Sequence, residues 1–310
     1  AEQDRADFKS LEFAHKFDVH LRPDNSGIRF TAGGMEVWRV GIRSRGAHSL
    51  NLLFSKFRLP VGAKVFVYNA DQSEILGSYT SENNSDHHLL PVQPIGGEEL
   101  IVEYQVPVGA SDKGEIEIGD VNHDYLGIFR ATEPRDPEQS CHPNLVCYPE
   151  DIEPGSGVVA LIINGTIYCT GSLVNNSAED GTPYLLTATH CLNNDYSPSF
   201  LANRRYDLVA GSIVAFFNYQ SPLCDTDIRG PLQMTMASAD SVLISERHDI
   251  SLLRLNPIPA SYQPHFLGWS AAPNGGAAQS APFHGLLHPN GGIKKVAIEE
   301  DGLSIGSFTD

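Results

Sequence analysis

One stretch narrows the choice of fold more than any other: Tyr184-Leu185-Leu186-Thr187-Ala188-Thr189-His190-Cys191. An apolar strand runs straight into a histidine and a cysteine, and another cysteine stands upstream in Tyr168-Cys169-Thr170-Gly171-Ser172-Leu173. Downstream, His248-Asp249-Ile250-Ser251-Leu252-Leu253-Arg254-Leu255 opens a second apolar strand on an acidic residue. A histidine general base needs a rigid mount and a carboxylate behind it to fix its tautomer and stabilise the imidazolium. The strand end supplies the mount for His190, and Asp249 supplies the carboxylate. A lone histidine is ordinarily a satisfied core residue; the matching Asp249 element outweighs that reading here.

The rest of the chain is read as mostly β. Long runs of helix-period apolar residues are missing, and short Val/Ile/Leu/Phe/Tyr-rich segments recur between turn formers. Strands are expected at 36–40, 50–54, 64–68, 99–104 and 115–118, spaced as in an antiparallel sandwich. Residues 131–139, with Pro134 and Pro137 among charges, read as a linker. Beyond it, Val158 to Ile163, Asn164-Gly165 and Thr166-Ile167-Tyr168 form a strong hairpin signal, because Asn-Gly suits a two-residue type I′ turn. Further strands are expected at 172–174, 184–189, 213–217 and 250–255. At 310 residues, with hydrophobic content of 41%, the chain has room for two domains with real cores. The expected division is 1–133, an N-terminal β-sandwich with linker, and 134–310.

A formal net charge of −17 argues against a nucleic-acid binder, since phosphate neutralisation needs clustered Lys and Arg. No stretch reaches the roughly eighteen consecutive apolar residues of a membrane span. All five cysteines lie after residue 140, and none forms a C-x-x-C zinc pair. Disulfides belong to oxidising compartments, so a secreted (extracellular or periplasmic) protein is expected. The start at Ala1-Glu2-Gln3, with no Met and no apolar leader, fits a removed signal peptide as well as a trimmed sequence. His284 and His288 have metal-like spacing without a helix or third ligand, so they read as loop histidines. His87-His88 reads as solvated, and Glu299-Glu300-Asp301 as a solvated turn. Neither a cofactor nor a metal is expected.

Two motifs carry a resemblance. Thr187 to Cys191 resembles the histidine motif of trypsin-like (chymotrypsin-fold) serine proteases, and Asp249 to Leu255 resembles their aspartate motif. More narrowly, Cys169-Thr170-Gly171-Ser172-Leu173-Val174-Asn175-Asn176, Phe217-Asn218-Tyr219-Gln220 with Cys224, Gly268-Trp269 and His288-Pro289-Asn290 resemble bacterial lysyl endopeptidases. The likeness covers roughly 141–295. It implies a chymotrypsin-like double β-barrel, an N-terminal pro-region, and catalytic roles for His190 and Asp249. It also implies disulfides Cys169–Cys191 and Cys147–Cys224, with the partner of Cys141 lying beyond residue 310.

The third member of such a triad is a serine in a Gly-x-Ser-Gly loop, whose backbone N–H groups also build the oxyanion hole. Ser251, Ser261, Ser270, Ser280, Ser304 and Ser307, the serines after Asp249, lack that setting; Ile305-Gly306-Ser307-Phe308 is the nearest imitation. The expectation is a serine endopeptidase acting on protein or peptide, with lysine preference implied by resemblance alone. Its second barrel is incomplete, and a further C-terminal segment or companion chain completes it. The alternative is a catalytically inactive, protease-like secreted binding or adhesion protein.

Overall fold

The computed structural model describes residues 10–129, 142–193, 205–224, 226, 228–271 and 282–301. The linker at 131–139, Cys141 and Ser280, Ser304 and Ser307 lie outside the described residues.

Ten strands lie within residues 10–129: β1 (Leu11–Glu12), β2 (Ala14–Leu21), β3 (Ile28–Ala32), β4 (Met35–Arg43), β5 (Ser49–Arg58), β6 (Lys64–Asn69), β7 (Ile75–Tyr79), β8 (Leu90–Gly96), β9 (Glu99–Pro107) and β10 (Glu115–Asp124). Nine of them, β2 to β10, make a four-stranded sheet in the order β2-β10-β5-β8 and a five-stranded sheet in the order β3-β4-β9-β6-β7. Both are antiparallel. One core joins them: Leu52, Phe54, Val92, Ile118 and Val121 from the first meet Trp38, Val65, Val67, Val102 and Tyr104 from the second. The period-2 pattern is the cause, since alternate residues of a strand face opposite sides of its sheet. Each strand expected from 36 to 118 falls inside one of these elements. β8 was not expected, because Pro91 and Pro94 interrupt its pattern. It survives as a sheet edge, where a missing N–H is tolerated.

The second part contains β11 (Val158–Ile163), β12 (Ile167–Val174), β13 (Tyr184–Thr187), β14 (Val214–Phe216), β15 (Thr235–Ala237), β16 (Ala239–Ser245), β17 (Ile250–Leu255), β18 (Phe283–Leu287) and β19 (Lys295–Glu299). Its main sheet runs β15-β14-β11-β12-β13-β17-β16, with β1 added on β12. Only Ser238, with positive φ (68°), separates β15 from β16, so the chain links the two ends of this half-barrel. β18 and β19 pair with each other as a separate sheet. The all-β class expected from the sequence is therefore observed.

The Asn164-Gly165 turn has positive φ at both residues (52° and 72°), and Thr166 N–H closes it onto Ile163 O at 3.1 Å. The strands pair Ile163 with Ile167, so Thr166 joins the loop as one residue more than a two-residue hairpin needs. Glycine is required at 165 for a second reason. A Cβ there would lie 2.0 Å from Asn122 Nδ2. Asn51 of β5 donates to Gly165 O at 2.9 Å, and Asn122 of β10 donates to Asn51 at 2.8 Å. Two buried amides of the sandwich thus grip the hairpin of the half-barrel.

β11 is buried along its whole length. Val159, Leu161 and Ile163 face the half-barrel interior, packed with Leu173, Leu185 and Leu253. Ala160 and Ile162 face outward into a second layer with Phe13, Ala14, Ile128, Tyr168, Phe216 and Tyr219. Both faces being covered explains why this strand reads as an unbroken apolar run.

Candidate active site

β13 ends at Thr187, Ala188 is still extended, and Thr189–Leu192 form a single helical turn. His190 therefore sits on that turn and not at the end of a strand reaching 189. Neighbouring residues pin the turn. Cys191 is bonded to Cys169 of β12 (S–S 2.04 Å). Thr189 is fully buried; its hydroxyl donates to Ser245 O at 3.3 Å and accepts from Ser251 Oγ at 2.9 Å. The other disulfide joins Cys147 and Cys224 (2.05 Å), so both pairings implied by the resemblance are present.

Asp249 reaches His190 through strand register. β13 and β17 pair antiparallel, with Thr187 opposite Ser251 and Leu185 opposite Leu253. The residues just beyond each strand end are thus brought face to face. Asp249 closes the 3₁₀ turn Glu246–His248 in the left-handed region (φ 51°, ψ 43°), which aspartate tolerates better than most residues. Its carboxylate engages His190 twice: Oδ1 accepts from the backbone N–H at 2.8 Å, and Oδ2 lies 2.6 Å from ring Nδ1. An ionised carboxylate only accepts, so Nδ1 carries the proton and the remaining lone pair is on Nε2. The short distance suits a charge-assisted bond. The side chains are 20% and 38% exposed, so the pair borders solvent.

The other sequence candidates have structural partners. His284 Nδ1 lies 2.6 Å from Asp151 Oδ2, and its ring meets Tyr148 edge-on. His288 is wholly buried, stacked on Tyr219, and within 3.1 Å of Gly292 O through Nδ1. Burial, reinforced by the charge of Lys294, holds it at about 3. Lys294 is also buried, which brings it down to about 7, and it donates to Gly155 O at 2.6 Å and Gln220 Oε1 at 3.3 Å. Among the described residues no cluster of His, Cys, Asp and Glu could hold a metal ion. Nor is any helix there long and apolar enough to cross a membrane.

His87 corrects the solvated reading. Its side chain is only 14% exposed; it lies 3.1 Å from Asp240 and packs on Gly211, joining the sandwich to the half-barrel. His88, by contrast, is exposed, as are Glu299, Glu300 and Asp301. Sequence reading missed Thr189 and Ser251, whose only signal was two hydroxyl residues beside the motifs. It also missed Ser10–Glu12, which lie against β12.

A histidine on a disulfide-braced turn, held at two points by a carboxylate across a strand pair, is a proton-relay geometry. The family described as lysyl endopeptidase, C-terminal domain, matches residues 136–309. That is more than half of the 310 residues, and the chain belongs to the lysyl endopeptidase family.

Proposed function

We propose that the chain is part of an exported serine endopeptidase that cleaves protein or peptide substrates, with lysine on the acyl side of the bond. The single observation carrying this reading is the two-point hold of Asp249 on His190. With Nδ1–H committed to the carboxylate, Nε2 takes the proton of an attacking serine hydroxyl as its oxygen bonds to the substrate carbonyl carbon. The imidazolium, stabilised by Asp249, then gives that proton to the leaving amine as the C–N bond breaks. Water repeats the sequence on the acyl-serine and releases the acid. The serine itself belongs to a Gly-x-Ser-Gly loop that this sequence does not contain after Asp249. Residues 1–133 act as prosegment or accessory domain to the protease domain at 134–310. The two disulfides and the family membership support export.

Fluorophosphonate labelling of the secreted protein together with its serine-bearing segment tests the reading. Labelling is expected in the native protein and is lost in His190→Ala. Asp249→Asn is expected to lower turnover by about 10⁴-fold. Labelling that survives His190→Ala would overturn the assignment. The second reading is an inactive protease-like binding or adhesion protein. It draws on a cleft of about 730 Å³ in the sandwich, walled by Phe30, Trp38 and Tyr104 with Arg22, Arg29 and Lys113 at its sides. No labelling at all would favour it.

A further inference from the structure

For Asp249 to hold His190 at two points, two turns must keep a fixed spacing. One is Thr189–Leu192; the other is Glu246–His248, closed by Asp249, whose N–H donates to Glu246 O at 3.3 Å. On one side the spacing is set by strand register, with Thr187 opposite Ser251, and the buried Thr189 hydroxyl bridges to Ser245 and Ser251 there. Register ends with the strands. Past them Asn193 leaves the first turn and Glu246 enters the second, and a side chain from a third element joins these two. Tyr206 Oη donates to Glu246 Oε1 and accepts from Asn193 Nδ2 at 3.5 Å.

The bridge is rigid at each end. Tyr206 opens the helix Tyr206–Gly211, whose Val209 and Ala210 are buried in the half-barrel core, and its own side chain packs against that core. Only two χ angles separate backbone from ring, so packing the ring also fixes the hydroxyl. Asn193 is buried and tied back to the catalytic turn, its N–H donating to Thr189 O at 3.0 Å. The Glu246 carboxylate accepts from the phenol in a charge-assisted bond. We propose that Tyr206 is a positioning residue for the proton relay, its hydroxyl spacing the turn that carries His190 from the turn that carries Asp249; the assignment rests on reading His190 as the general base. Tyr206 acts on the ring through Glu246 and Asn193, thirteen and forty positions from Asn193 and Glu246 in sequence. The effect is one of alignment, to which a proton-transfer geometry is steeply sensitive. The same helix has another tie, Ser241 Oγ donating to Asp207 Oδ1, which fastens it to β16 without engaging either turn.

The readout is the His190 Nδ1 proton in NMR spectra of the 310-residue chain, followed by its exchange with water. Tyr206→Phe keeps the ring and removes the hydroxyl; it is expected to speed that exchange about five- to tenfold. Glu246→Ala does the same from the other end, and decides the matter if Tyr206→Phe fails to fold. The two changes together add nothing to either alone, as expected of partners in one contact. Glu246→Gln keeps an acceptor oxygen and stays close to the native rate, and Ser241→Ala, which loosens the helix elsewhere, leaves the rate unchanged. In the serine-bearing protein Tyr206→Phe lowers kcat about tenfold with KM unaltered. Native exchange in both Tyr206→Phe and Glu246→Ala overturns the proposal. So does equal acceleration in Ser241→Ala, which would make the helix a general support. A native chain lacking the Nδ1 proton would instead overturn the reading of His190 itself, so the two failures are distinguishable, and the NMR readout needs no serine.

Discussion

The sandwich and the half-barrel bury their apolar residues in different ways. Along β9, Leu100, Val102, Tyr104 and Val106 point inward while the residues between them stay partly accessible. The accessible faces pair opposite charges, Arg39 with Glu103 and Arg58 with Asp112, and the buried Glu117 sits among His20, Arg22 and Lys56. β11 has no such outer face. Its outward residues Ala160 and Ile162 are covered by Phe13, Ala14 and Ile128 from the preceding part of the chain. The sandwich thus closes its core mainly with its own residues, with Ala237 of β15 packed against it, whereas the sheet next to His190 borrows a whole layer of its cover. The site is consequently sensitive to changes made far from it in sequence.

The largest expected effect tests that borrowing. Phe13→Ala empties a fully buried position of the shared layer and costs about 3–5 kcal/mol. Amide exchange should accelerate in β11 and β12 and stay unchanged in β4 and β9. Equal acceleration in both regions would erase the asymmetry.

Acid should separate the two regions next. His288 is held at about 3, against 6.5 for the free side chain, first by burial and then by Lys294. The unfolded chain accepts a proton there between pH 6.5 and about 3 that the folded chain refuses. Stability on the half-barrel side therefore falls as pH drops through that window, by up to about 1.4 kcal/mol per unit. The sandwich behaves otherwise. Glu117 is lowered to about 2, mainly by its bond to His20, so its contribution is full above 4.5 and is lost only toward pH 2. Burial raises Asp120 to about 6, so the folded state gains a proton between 6 and 3.8 and is favoured as pH falls there. At pH 5 protection factors should drop in β12 before β10, and His288→Gln should flatten the drop.

A further loss is expected for Gly165→Ala: about 1–2 kcal/mol from the left-handed conformation alone, with the displacement of the buried Asn122 amide added to it. Urea unfolding would read it. Arg58→Gln should leave the urea midpoint where it was, because its partner Asp112 is solvent-exposed and the pair is screened. A measurable shift there would give the sandwich surface more weight than its geometry supports.

The same contrast explains what was legible in the sequence. Strands of the sandwich core announced themselves because period-2 alternation follows directly from burying one face. β2 did not: Ala14-His15-Lys16-Phe17-Asp18-Val19-His20-Leu21 is largely exposed and is held as a strand by its ladder to β10. The His190–Asp249 pair was legible because each residue abuts a strongly apolar strand, and antiparallel pairing of those strands does the rest. The helical turn under His190 was not legible, since a turn of four residues is set by a disulfide and two hydroxyl contacts and not by propensity. His87 was misread for a related reason: its partner Asp240 lies 153 positions away, and no local pattern signals it. β1 has two residues, and only its place against β12 makes it a strand.

Nitrogen-resolved NMR of the His190 ring tests the central claim most directly. At neutral pH the account predicts a proton on Nδ1, shifted far downfield by the Asp249 carboxylate, and a bare Nε2, with the signal lost in Asp249→Asn. A ring protonated on Nε2 with Nδ1 bare, or a spectrum indifferent to Asp249→Asn, would contradict it.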